Sequence, residues 1–122
     1  MVEFRFEKME VWQLAIEFAN AIYELTQQFP ESERYGLISQ LRRAAVSIPA
    51  NIAEGSGRWS SRDNLRFIEI SYGSLMEVIS HVEIACRREF MNSAQRSQIR
   101  LTADNLARQL SGFANHLRKE ST

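Results

Sequence analysis

The sequence predicts an all-α protein, an antiparallel up-down-up-down four-helix bundle, and three observations carry that reading. Apolar residues recur at alternating spacings of three and four through four long stretches, the period of one face of a helix. Glycine (5) and proline (2) are few in 122 residues, which favours long regular elements over many turns. The segments between the stretches are short and rich in capping residues, so consecutive helices should be antiparallel neighbours. The length suits a single domain, 1–122, with one core large enough to be stable unaided.

The first helix is expected from Glu7 to Gln28, ending before Phe29-Pro30. Val11, Leu14, Phe18, Ile22 and Leu25 form one stripe, and Trp12, Ile16, Ala19 and Tyr23 form a second beside it. Together they span roughly 220° of the helix, against ~100° for an ordinary surface helix. The second stripe therefore exceeds what one bundle buries, and it is the candidate oligomer interface. The rival account folds the N-terminal arm back, with Phe4 and Phe6 covering that stripe within one chain.

The second helix is expected from Ser32 or Glu33 to Glu54, with Leu37, Leu41, Ala44, Ile48 and Ile52 as its seam. Pro49 lies inside it, removes a backbone donor and crowds the carbonyl of Ala45, which predicts a kink. Arg43, Ser47 and Glu54 share one side, with Asn51 close by. Ser and Asn are weak formers in a helix interior, so Ser47 or Asn51 is expected to serve the backbone near Ala45. Gly55-Ser56-Gly57 reads as the stop. Ser60-Ser61-Arg62-Asp63 opens a third helix, whose seam runs Leu65, Ile68, Tyr72, Leu75, Ile79, Val82 and Cys86 to an end near Phe90. Asn92-Ser93-Ala94-Gln95 caps the fourth, whose seam is Ile99, Ala103, Leu106, Leu110, Phe113 and Leu117.

No apolar run approaches the ~18 residues of a membrane span, and Met1–Glu10 has no signal-peptide core. The lone cysteine, Cys86, excludes an internal disulfide and sits on an apolar stripe; a cytoplasmic location is expected. Catalytic and metal chemistry find little support. A di-iron bundle needs Glu-x-x-His pairs, but Val78 and Phe113 precede His81 and His116 by three. His81 can neighbour Glu77 across one turn, and a single such pair makes a poor metal site. Gly55-Ser56-Gly57-Arg58 follows a helix and lacks the Lys-Ser/Thr ending of a phosphate loop. The expectation is a protein that is not an enzyme, with no cofactor and no metal.

Net charge is zero but divided unevenly. Residues 1–33 carry seven glutamates against Arg5 and Lys8, and the rest carries thirteen bases, twelve of them arginine, against eight acids. Those opposed halves could pair between helices or serve a nucleic acid. Arg42, Arg43, Arg58, Arg62 and Arg66 are read as surrounding the turn between helices two and three, where phosphate binding is the functional reading. Solvated charges and ion pairs, such as Asp63 with Arg62 or Arg66, are the plain alternative. Trp59 is expected to pack on the bundle end, with a stacking surface beside Arg58 as the alternative.

The stretch from Tyr35-Gly36-Leu37 through Arg42-Arg43-Ala44-Ala45-Val46-Ser47-Ile48-Pro49-Ala50-Asn51-Ile52-Ala53-Glu54-Gly55 resembles a known signature. It is similar to that of the bacterial four-helix-bundle family named for proteins encoded in intervening sequences of large-subunit ribosomal RNA genes. Val11-Trp12-Gln13, Phe29-Pro30 with Glu33, Arg58 and Gly73-Ser74-Leu75-Met76-Glu77 agree with the same pattern. The resemblance implies an antiparallel four-helix bundle that often assembles as a homopentameric ring. It also takes in a branch, the accessory variability determinants of diversity-generating retroelements, which bind nucleic acid and a reverse transcriptase through a basic ring. This chain is neutral overall, unlike that branch.

Two functional expectations follow. One is a non-catalytic scaffold of self-associated copies that binds RNA or DNA through the arginine-rich end. The other is a protein-binding adaptor whose second stripe docks a foreign helix.

Overall fold

A computed structural model describes residues 1–121. Four helices, α1 (Glu10–Thr26), α2 (Leu37–Ser56), α3 (Ser61–Arg87) and α4 (Ser93–Glu120), form the bundle, with no strand among the described residues. Each helix packs on its neighbours in the chain, and α1 closes the ring against α4. Most of the expected seams become the core: Phe18, Ile22, Leu41, Ile48, Ile52, Ile68, Leu75, Val82, Leu106 and Leu110 are all fully buried or nearly so. In α3, however, Tyr72 is exposed, and Ser71, Val78 and Ala85 are buried in place of the expected Tyr72, Ile79 and Cys86. No described helix is long and apolar enough to cross a membrane.

Local chemistry sets two of the helix starts where the sequence places them. The Ser60 hydroxyl accepts the Asp63 N–H at 3.1 Å and opens α3. Asn92 accepts the Gln95 N–H at 2.8 Å while Gln95 accepts the Asn92 N–H at 3.0 Å, a reciprocal pair at the start of α4. Caps of this kind are worth ~1 kcal/mol each.

The other boundaries differ from the sequence expectation. Arg5–Lys8 forms a separate 3-10 turn, because Met9 is extended (φ −75°, ψ 127°) and breaks it from α1. Glu31–Glu33 is another 3-10 turn, and α2 begins only at Leu37, whose N–H donates to the Glu33 carboxylate at 3.1 Å. At the end of α3 the chain stops before Phe90. The Phe90 N–H reaches the Ala85 carbonyl (2.9 Å) and the Glu89 N–H the Cys86 carbonyl (3.0 Å). That pair of bonds requires a left-handed residue, and Glu89 supplies it with φ 63° although it is not a glycine.

Gly55 has a different role from the one its position suggested. It is buried within α2, which continues to Ser56. A Cβ there would lie 2.5 Å from Asn64 Oδ1 and 3.0 Å from Phe67 Cβ, so the absent side chain lets α2 and α3 cross closely. The stop comes after it.

Candidate interaction surfaces

The α2 signature forms a polar seam along the α2–α3 groove. Arg43 donates to Glu77 Oε2 at 2.7 Å, and His81 Nε2 approaches the same oxygen at 3.0 Å. His81, and with it the Arg43 guanidinium, holds the Glu77 carboxyl below the usual carboxylate range. One turn further along α2, Ser47 meets Ser74 at 2.9 Å, and Asn51 donates to the Ser47 carbonyl at 2.8 Å. Buried Ser71 donates to the carbonyl of Ile48 at 2.9 Å.

These bonds lie beside Pro49, which is itself buried, and α2 runs without a break from Leu37 to Ser56. The polar groups act next to the proline, as the sequence suggests, but on the Ser47 and Ile48 carbonyls and not on that of Ala45. A side chain on a helix reaches its own i−4 carbonyl or the facing helix, and for Asn51 and Ser71 those targets are residues 47 and 48. The seam is thus a packing device between two helices. Sequence spacing could not show this because half of its members belong to α3.

The five arginines do not converge. Arg42 turns toward α1, donating to Thr26 Oγ1 at 2.9 Å with its guanidinium 4.7 Å from the Tyr23 ring centroid. Arg43 is held by Glu77 on α3. At ~1.5 Å per residue, roughly 20 Å of helix separates Arg43 from the end of α2. Only Arg58, Arg62 and Arg66 stay at the α2–α3 turn. Arg58 pairs with Glu54 at 3.3 Å and covers the Phe67 ring at 4.4 Å. Arg62 and Arg66 are exposed and make no ion pair among the described residues, so the local pairing with Asp63 does not form. Trp59, expected on the bundle end, projects into solvent at 103% exposure.

The second stripe of α1 is shared between two fates. Ala19 is buried, and Trp12 and Ile16 are half-buried. Phe6 meets the Trp12 ring edge-on at 5.2 Å, with Phe4 stacked behind it at 6.4 Å. The Gln13 side chain ties the arm down by donating to the Glu7 carbonyl at 2.8 Å. The arm therefore covers the Trp12 end of the stripe, as in the rival account, while Ala19 is buried in the bundle core. Tyr23 stays 41% exposed. Val46 lies one turn beyond Arg42 on α2 and is 44% exposed, so it belongs to the same α1–α2 flank as Tyr23.

The opposed charges of the two halves do not meet either. Among the described residues the ion pairs between helices include Arg43–Glu77, Arg96–Glu83 and Arg118–Glu69, and none of these involves α1. Glu10, Glu17 and Glu24 recur every seven residues on α1, are exposed, and have no cation partner among the described residues. No three His, Cys, Asp or Glu side chains come together to hold a metal among the described residues.

Comparison with known proteins places this geometry. A structure described as a protein of unknown function from the S23 ribosomal protein family, from Bacteroides thetaiotaomicron VPI-5482, superposes with a TM-score of 0.76. It is 23% identical, and the match covers 85% of this chain and 97% of that one, which establishes a common fold. No curated protein matches the chain in sequence. The family model described as 23S rRNA-intervening sequence protein matches residues 7–112, which span α1, the polar seam and the arginine-bearing turn. By that match over most of its length, the chain belongs to the 23S rRNA-intervening sequence protein family.

Proposed function

We propose that this protein is a non-catalytic scaffold that assembles from several copies, a homopentamer on the pattern implied by its signature. In that assembly it holds nucleic acid by charge at Arg58, Arg62 and Arg66. The observation that carries the reading is that Glu10, Glu17 and Glu24 on α1, and Arg62 and Arg66 at the α2–α3 turn, have no ion-pair partner among the described residues. An exposed acidic face on α1 beside a partly apolar flank suits a contact between unlike patches, the kind that closes into rings. Tyr23, Ile16 and Val46 on the α1–α2 flank supply the apolar part of the proposed contact. Burying such side chains contributes roughly 1.5–3 kcal/mol each.

Light scattering of the native protein tests the assembly. A multimer is expected, and Tyr23→Glu with Val46→Glu should break it into smaller species. A wild-type monomer at micromolar concentration would sink the scaffold and leave the adaptor, in which the same flank takes up a partner protein such as a reverse transcriptase. Nucleic-acid binding should fall steeply with salt, and Arg62→Ala or Arg66→Ala should flatten that slope.

A further inference from the structure

We infer that the α2–α3 turn is a site for single-stranded nucleic acid, with an unpaired base stacked on Trp59. This rests on the proposed electrostatic binding at the same turn and specifies the strand it takes. Trp59 is 103% exposed, so both faces of its indole are open. A buried indole would be part of the core; a fully wetted one gains from any planar partner that removes it from water.

The surroundings suit an unpaired nucleotide. Arg62 and Arg66, both exposed and without carboxylate partners among the described residues, follow Trp59 in the chain within the first two turns of α3. Trp59 also borders a cavity of about 440 Å³ that opens between the turn, the N-terminal arm and the end of α4. Arg5, Arg58, Ser60 and His116 help line it, and they offer cationic and polar groups to a phosphate and to the edges of a base. Glu120, which meets Ser61 at 2.8 Å and His116 at 3.3 Å, is the acid within it.

Both faces of a base inside a duplex are already stacked on neighbours, so a single protruding indole gains nothing there without unstacking. An unpaired base has a free face. Indole stacking is also tolerant of sequence, because every base presents a π-surface. The site should therefore take single strands without a sequence code, and the few arginines set a modest affinity with a strong salt dependence.

Anisotropy of fluorescein-labelled oligothymidylate, with a labelled duplex of equal length as control, tests this at low ionic strength. The single strand should bind more tightly than the duplex and quench the emission of the water-exposed tryptophan. Trp59→Ala should weaken single-strand binding about tenfold or more, Trp59→Phe should retain most of it, and duplex binding should not change. If Trp59→Ala binds oligothymidylate as the wild type does while Arg62→Ala flattens the salt slope, stacking is overturned and the charge reading stands. If neither strand binds at low salt, both are overturned. Because Trp59 is fully exposed, an unchanged circular dichroism spectrum is expected for each variant.

Discussion

The α2–α3 half of the bundle and the α1 side are built differently. Between α2 and α3, Gly55 brings the backbones close, and three sets of polar contacts cross the groove, at Arg43–Glu77, Ser47–Ser74 and Ser71–Ile48. α1 is held by its buried stripe, by Arg42 to Thr26, and by Gln28, whose amide reaches Gln95 and the Phe90 carbonyl at 3.0 Å. Its acidic face meets no cation among the described residues. The difference teaches that the family signature describes a fixed hairpin. The surfaces proposed for partners lie on α1 and at the exposed turn.

The largest test of this contrast is Gly55→Val. New methyl groups would be driven into Asn64 and Phe67, and overpacking of this kind costs ~1–3 kcal/mol. Urea or thermal unfolding should show it. Gly57→Ala, where the nearest atom to an added Cβ is the Glu54 carbonyl at 3.4 Å, should change stability little. Equal losses at both glycines would remove the close crossing as the reason for Gly55.

A smaller effect is expected on the α1 side. Arg42→Ala removes the bond to Thr26 and the contact with Tyr23, worth about 1 kcal/mol, and native-state hydrogen exchange should then accelerate first in α1. Exchange that speeds up equally in α2 and α3 would mean that the two halves open together. Glu89→Gly should raise stability by roughly 0.5–1 kcal/mol, since a residue at φ 63° bears a left-handed strain that glycine lacks. A loss would show that the Glu89 side chain makes up for that strain.

The smallest expected effect is on acid stability. Glu77 is held below its ordinary value by His81 and Arg43, so its contribution is complete above the unfolded glutamate value of about 4.3 and is lost as pH falls through the lower folded one. Glu77→Gln should reduce the steepness of acid unfolding in that window. An unchanged acid limb would assign the steepness to other carboxylates such as Glu83, which Arg96 and then Arg87 lower in the same way.

The sequence by itself determined what depends on neighbours a few residues apart. Four seams at threes and fours, the Ser60 and Asn92 caps and the helix-interior Ser47 and Asn51 beside Pro49 are all local relations, and local hydrogen bonding and periodicity place them. Only the tertiary structure decided what depends on a facing helix. It separated Arg42 and Arg43 from Arg58, Arg62 and Arg66, gave Glu77 to Arg43, laid Phe6 over Trp12, and turned Gly55 from a stop into a crossing point. The reason is distance: a side chain's sequence position sets which way it leaves its own helix, but the partner it reaches is set by how two helices pack, and that is a sum over the whole core.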